Sequence, residues 1–509
     1  MTKLNHQTSQ STMTGAYGTT YEIFVYSFAD SNGDGIGDLQ GVIDKLDYIN
    51  DGDPETTTDL GCDAIWLLPV CMSPTYHKYD VADYETIDED YGTMDDFEAL
   101  VSACHERGVK VYTDMVLNHT SVEHGWFQKA KDYLTNLGDA EPDASVCPYV
   151  DYYNFTKDEQ TGYESLEGTS WYYEARFWSG MPDLNLDNEN VKSEITDIAQ
   201  FWLDKGVDGF RLDAVTSYFT ADNDKNIAFL SWFNTMVKEK KSDAYLVGEA
   251  WEPFSTYADY YKSGIDSFFN FAFSDQSGAF AKTTRGQMSM ADFGQSCINV
   301  QNRLSGNNAN YVDATFTSNH DQARCAGYFS GDDATKFIRF NGALNLLMTG
   351  NAFVYYGEEL GMKGSGKDEN KRAPMQWGES DAAVTEGPAD MEDIEMVCGS
   401  LADQQDDPYS IYNYYKEAIY LRHAFPDIAT GTITIDDQFC HDGILTMFKT
   451  TEDKSTVCVV YNGSGEADSV DLTNMGEADL VGMLVMDDEA VTYDNGTLTM
   501  PAYSIAILK

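Results

Sequence analysis

The sequence predicts an α/β fold: a (β/α)8 TIM barrel with an inserted subdomain after its third strand and a C-terminal antiparallel β-sandwich domain. Three observations predict it. Eight apolar, β-branched or aromatic runs recur with helix-patterned stretches between them, at 21–28, 63–70, 109–117, 207–213, 244–249, 265–273, 315–318 and 351–357. Strands alternating with helices build a parallel sheet, and eight such units close it into a barrel. The connection from 118 to 191 is far longer than an ordinary strand-to-helix turn, so it holds structure of its own. After a helical stretch at 410–423, short alternating runs return at 432–434, 443–449, 455–462 and 502–508 with Gly- and Asp-rich turns between them.

In chain order, residues 1–17 are polar and rich in Ser and Thr, and are expected to be a disordered tail without the apolar centre of a signal peptide. The barrel is expected over 18–118 and 184–427. Several of its runs are nearly continuous apolar segments, as suits strands with helices outside and packed side chains inside. Stretches 97–107, 192–205 and 227–240 place apolar residues at helical spacing and would form the outer ring. Residues 119–183, rich in Asp, Glu and Tyr, form the insertion and should overhang the barrel mouth. Residues 428–509 form the terminal domain.

Composition sets the classes that can apply. With 509 residues, 42% of them hydrophobic, the chain can bury a large core in more than one domain. Eighty-five acidic against 32 basic residues give a formal charge of -53. Such a surface repels nucleic acid and anionic lipid, and no nucleic-acid partner is expected. No run of 18 apolar residues occurs, so no membrane span is expected. The nine cysteines are odd in number, scattered and never in Cys-x-x-Cys spacing, which indicates neither a disulfide framework nor a zinc site. The acidic surface favours an extracellular setting, with cytoplasmic as the alternative, and a monomer is expected.

Three strings each end an apolar run with a carboxylate: Gly209-Phe210-Arg211-Leu212-Asp213, Val247-Gly248-Glu249-Ala250-Trp251 and Ser318-Asn319-His320-Asp321. Barrel strands gather their C-terminal tips around one pocket, so the three can meet there. A single strand-tip carboxylate is as readily a helix cap. Three on strands four, five and seven, each with an Arg, His or aromatic neighbour, are not explained that way. Arg211 and Asp213 lie two apart and share one strand face, so the guanidinium would keep Asp213 ionised, as a nucleophile requires. Glu249, between small residues and beside Trp251, would be partly desolvated and hold its proton longer, as a general acid requires. Two such carboxylates in one cleft are what glycosidic-bond hydrolysis needs. Asp114…Asn118-His119 ends strand three and adds polar groups to the same face. His77, His119 and His320 all lie at strand exits, suited to bonding sugar hydroxyls. Tyr76-His77-Lys78-Tyr79 offers an aromatic platform for a sugar ring.

With these four segments in this order, nearly the whole chain resembles the α-amylase family of retaining glycoside hydrolases. The resemblance implies Asp213 as nucleophile, Glu249 as general acid/base and Asp321 as transition-state stabiliser. It further implies Arg211, His119 and His320 around the attacked glucose, with Tyr79 stacked on it. Met181-Pro182-Asp183-Leu184-Asn185 is similar to the signature of a group intermediate between oligo-1,6-glucosidases and neopullulanases. The stretches 355–362 and 372–377 are likewise similar to the oligo-1,6-glucosidase side. Exo-acting members carry an Asp three residues before the stacking tyrosine, where this chain has Tyr76, which points to an endo-acting cleft. Thr216-Ser217 stand where typical α-amylases have a Lys-His pair, which leaves open the usual aglycone contact and a calcium between barrel and insertion. The expected substrates are α-glucans: starch, maltooligosaccharides and pullulan. An endo-acting α-1,4 hydrolase leads, and an α-1,6-glucosidase, neopullulanase-type enzyme or transglycosylase is the alternative.

One further string spaces oxygen ligands at alternate positions among glycines, as a hard cation needs: Asp30-Ser31-Asn32-Gly33-Asp34-Gly35-Ile36-Gly37-Asp38. Position twelve is Gly41 rather than a bidentate Glu, which excludes an EF-hand sensor. The expected ligands of a structural Ca2+ are Asp30, Asn32, Asp34, the Ile36 carbonyl and Asp38. Similar loops in the related oligo-1,6-glucosidases imply the same ion, away from the catalytic centre.

Overall fold

The computed structural model describes Met13 and residues 16–138, 140–394 and 396–509. Most of the expected tail lies outside the described residues. Eight parallel strands form one sheet: β1 Gly18–Ile23, β2 Ala64–Leu67, β3 Lys110–Met115, β4 Gly209–Leu212, β5 Tyr245–Gly248, β6 Ser267–Phe268, β7 Ala314–Thr315 and β8 Asn351–Tyr355. They are ordered β6-β5-β4-β3-β2-β1-β8-β7. A parallel bridge between Phe269 and Ala314 joins the two ends, so the sheet closes into the expected barrel.

Register decides which side chains meet inside. On β1, Glu22 pairs with Trp66 of β2 and Tyr355 of β8. Arg211 of β4 pairs with Asp114 of β3. The β1 run was expected to extend through residue 28, but the strand stops at Ile23 and Val25–Phe28 coil into a helical turn. A short run buried on every side carries no period to separate strand from helix.

Between β3 and the helix Glu189–Asp204, the insertion folds as the helix Gly125–Leu137 and a three-stranded antiparallel sheet, Phe155–Thr156, Tyr163–Ser165 and Tyr172–Glu174. The bridge between His119 and Asp183 ties its two ends together at the barrel mouth. At the C-terminus a five-stranded and a three-stranded antiparallel sheet face each other. Ile444, Cys458, Val460, Leu498 and Leu508 fill the space between them. Alternate residues Leu445, Val457, Val459, Tyr461 and Ile507 pack the other face of the larger sheet into the main core, as strand periodicity dictates. Among the described residues no helix is long and apolar enough to cross a membrane, and the nine cysteines are free thiols.

Candidate active site

Asp213 and Glu249 are each the first residue beyond their strand, β4 and β5. Their neighbours set the geometry. Gly248 is required because a Cβ there would stand 2.5 Å from the Phe268 ring. After Asp213 the chain turns sharply: Ala214 has φ +45°, a strained region for a residue with a side chain, and its N–H donates to Glu249 Oε2 at 3.1 Å.

Arg211, fully buried, organises the pair. One terminal nitrogen lies 2.6 Å from Asp213 and 2.7 Å from Asp114, and the other 3.0 Å from Glu249. Trp66 donates its indole N–H to Asp114 at 3.0 Å, and its ring lies 5.3 Å from the Arg211 guanidinium carbon. The desolvation of Glu249 has a different source from the one expected. Trp251 is half exposed and stacks on Phe271 at 5.1 Å, while Glu249 itself is buried against Arg211. Burial pushes Glu249 up to about 7, with Arg211 opposing and the charges of Asp213 and Asp321 adding.

Asp321 lies on the β7 exit between two cations. His320 Nε2 is 3.1 Å from one carboxylate oxygen and Arg372 is 3.2 Å from the other. Burial raises its carboxyl, but His320, Arg372 and Arg211 outweigh burial and hold it well below the usual carboxylate range. Conversely, burial lowers His320, but Asp321 and Glu22 override it and push the ring up to about 9.

Tyr79 stacks on His320 at 5.6 Å and their polar tips meet at 2.8 Å. His119 is buried, its Nε2 3.2 Å from the Tyr79 carbonyl oxygen and its ring 5.4 Å from exposed Phe177. A cavity of about 480 Å³ opens over Asp213, Glu249 and Asp321, walled by Tyr79, His119, Phe177, Met181 and Trp251. The structure thus gathers all seven expected catalytic and substrate residues, with Arg211 and His320 beneath those that line the cavity. It also adds Glu22, Trp66 and Arg372 as direct partners of those residues, roles that the local strings did not reveal.

A buried acid poised near neutrality beside an Arg-paired carboxylate can protonate a leaving oxygen while its neighbour attacks carbon. Residues 22–431 match the family described as alpha amylase, catalytic domain. The chain belongs to the alpha-amylase family. It is therefore a glycoside hydrolase. It is 38% identical to Alpha-amylase 3 of Dictyoglomus thermophilum over 449 residues, covering 87% of this chain and 84% of that protein. Against the Oligo-1,6-glucosidase of Parageobacillus thermoglucosidasius the identity is 31%, covering 83% and 86%. The solved structure of Eubacterium rectale Amy13B superposes with a TM-score of 0.96 at 47% identity, covering 99% and 98%. Named relatives thus span both amylase and oligo-1,6-glucosidase, consistent with the intermediate group.

In this alpha-amylase-family barrel the 30–38 loop leaves β1 and packs on the segment after β8, with Glu386 N–H donating to the Gly35 carbonyl at 2.8 Å. Its donors are three carboxylates, one amide and one carbonyl, the chemistry a hard cation takes. Here the same oxygens accept backbone N–H groups: Asp30 from Asn32, Gly33 and Gly35, Asn32 from Asp34, Asp34 from Ile36, and Asp38 from Ser31 and Gly41. Among the described residues no three His, Cys, Asp or Glu side chains converge to hold a metal.

Proposed function

We propose that the chain is a retaining, endo-acting α-glucan hydrolase that cleaves α-1,4-glucosidic bonds in starch and maltooligosaccharides. The observation that carries the retaining chemistry is the sharing of one guanidinium by Asp213 and Glu249, at 2.6 and 3.0 Å, and the relative named Alpha-amylase 3 supports the α-1,4 linkage. Carboxylates held that closely suit the spacing of about 5–5.5 Å of retaining enzymes rather than the wider gap that admits a water.

Glu249, protonated, gives its proton to the glycosidic oxygen as the bond to the anomeric carbon breaks, and Asp213 forms an ester with that carbon from the opposite face. Glu249, now a carboxylate, takes a proton from water. The water oxygen attacks the same carbon, the ester breaks, and the product keeps the α configuration. Asp321, held ionised between His320 and Arg372, would stabilise positive charge on the sugar in both steps. Tyr79 and His119 would seat the attacked glucose. Phe177 and Trp251, each about half exposed in the cavity wall, offer stacking faces for flanking sugars.

The relative named Oligo-1,6-glucosidase supports a second reading, an α-1,6-acting or transglycosylating enzyme. Incubation with soluble starch, pullulan and isomaltose separates the two. Shortening of starch to a ladder of oligosaccharides is expected, and glucose released from isomaltose alone would overturn the α-1,4 assignment.

The 30–38 loop would hold a structural Ca2+ through Asp30, Asn32, Asp34, the Ile36 carbonyl and Asp38. Bound there, the ion would pin the β1 exit to the segment after β8, and it takes no part in the steps above.

A further inference from the structure

Glu22 is a glutamate enclosed within the barrel, 1% exposed, on a strand whose other residues are all buried. Its Oε1 lies 2.6 Å from His320 Nδ1 and 3.4 Å from the His320 backbone nitrogen, and His320 itself is wholly buried. The second ring nitrogen, Nε2, meets Asp321 Oδ2 at 3.1 Å and the Tyr79 hydroxyl at 2.8 Å. Each ring nitrogen therefore faces a carboxylate oxygen, which offers only lone pairs. A neutral imidazole has one N–H and one lone pair, so whichever tautomer formed would set a lone pair against one carboxylate. Only the doubly protonated ring donates to both. Against burial, Asp321 and Glu22 together push the ring up to about 9, so the ring holds both protons at neutral pH.

We propose that Glu22 is a positioning residue for hydrolysis: by accepting from Nδ1 it keeps His320 an imidazolium whose Nε2–H is aimed at Asp321, fixing that carboxylate's orientation and charge. The idea rests on the proposed role of Asp321 in turnover. Glu22 is not among the residues lining the cavity over Asp213, Glu249 and Asp321, and acts through His320. The other titratable and charged groups facing the pair are Tyr355 from β8, Asp114 from β3, Arg211 from β4, Glu249 from β5, Tyr79, and Arg372 behind Asp321. Trp66 of β2 closes the remaining side, its ring 5.7 Å from that of His320. With the carboxylate of Glu22 gone, no negative charge among the described residues bonds the Nδ1 side to favour the second proton.

The test uses the full chain and two glutamate variants. In wild-type enzyme, long-range proton–nitrogen NMR should find both His320 nitrogens protonated at neutral pH. Glu22→Gln keeps the shape and an acceptor oxygen but not the charge. It should lower the His320 titration midpoint by about one unit or more and cut kcat on maltoheptaose about tenfold, with KM changed far less. Glu22→Asp, which keeps the charge one methylene short, should retain more turnover than Glu22→Gln at an equal melting temperature. A His320 ring protonated on Nε2 alone in the wild type, or a Glu22→Gln enzyme with unchanged titration and kcat, overturns the proposal. Failure of the site assignment would look different: Asp213→Asn would keep its turnover while the NMR result for His320 stood.

Discussion

Replacing Glu249 by Gln should stabilise this protein in alkali while disabling it. The carboxyl of Glu249 is held at about 7 against an ordinary 4.5, chiefly by burial. Between those values the folded chain binds the proton more tightly than the unfolded chain, so stability falls as pH rises through that window. Above about 7 the cost is complete, and a shift of this size corresponds to roughly 3 kcal/mol. Gln mimics the protonated form and escapes the cost. The urea midpoint of Glu249→Gln should therefore match wild type near about pH 4.5 and exceed it near about pH 8 by the equivalent of roughly 3 kcal/mol. Activity should move the other way. Loss of a general acid should cost about 10²–10⁴-fold in kcat/KM on starch, and far less in kcat/KM on maltosyl fluoride, whose leaving group needs little protonation in the ester-forming step. The wild-type kcat/KM on starch should fall on the alkaline side with a midpoint of about 7. Parallel urea midpoints for variant and wild type at both pH values would refute the assignment of Glu249 as a buried acid carrying a destabilising charge.

Arg211→Met removes the cation shared by Asp114, Asp213 and Glu249 and leaves buried carboxylates unpaired. It should cost about 3–5 kcal/mol in denaturant titration and abolish turnover, and a variant as stable as wild type would show that the ion pairs do not hold the site. Gly248→Ala drives a methyl to 2.5 Å from the Phe268 ring and should cost about 1–3 kcal/mol, read as a lowered melting temperature, with turnover reduced as Glu249 is displaced. Removing calcium with a chelator should lower the melting temperature by several degrees, since an ion at about 100 times its Kd adds about 2.7 kcal/mol. In Asp34→Ala, an exposed position, that sensitivity should vanish, and identical melting of the wild type with and without chelator would remove calcium from the 30–38 loop.

Asp213 and Glu249 were legible in sequence because each ends an apolar run that alternates with helix-patterned stretches, close to an arginine or a glycine. Asp213 and Glu249 follow β4 and β5 directly, and barrel closure then brings the tips together. Glu22 was not legible. It stands within an apolar strand, and its partner His320 is 298 positions away, so nothing local distinguishes a charge inside the barrel from one outside it. Arg372 falls in the 372–377 stretch that the resemblance singles out, but its contact with Asp321 depends on how the segment after β8 folds back. Trp251 shows the opposite failure, since adjacency to Glu249 suggested shelter while the backbone turned the indole outward onto Phe271.

Retention through a glycosyl-enzyme requires Asp213 to form a covalent bond to the sugar. Glu249→Gln incubated with α-maltosyl fluoride, which needs no acid to depart, should accumulate the ester because the step that requires the base is slowed. Mass spectrometry of the digested protein should then find the maltosyl adduct on the peptide containing Asp213, and wild-type enzyme should release the α-anomer first. An adduct on another carboxylate would rule out Asp213 as the nucleophile, and a β-anomer as the first product would rule out retention.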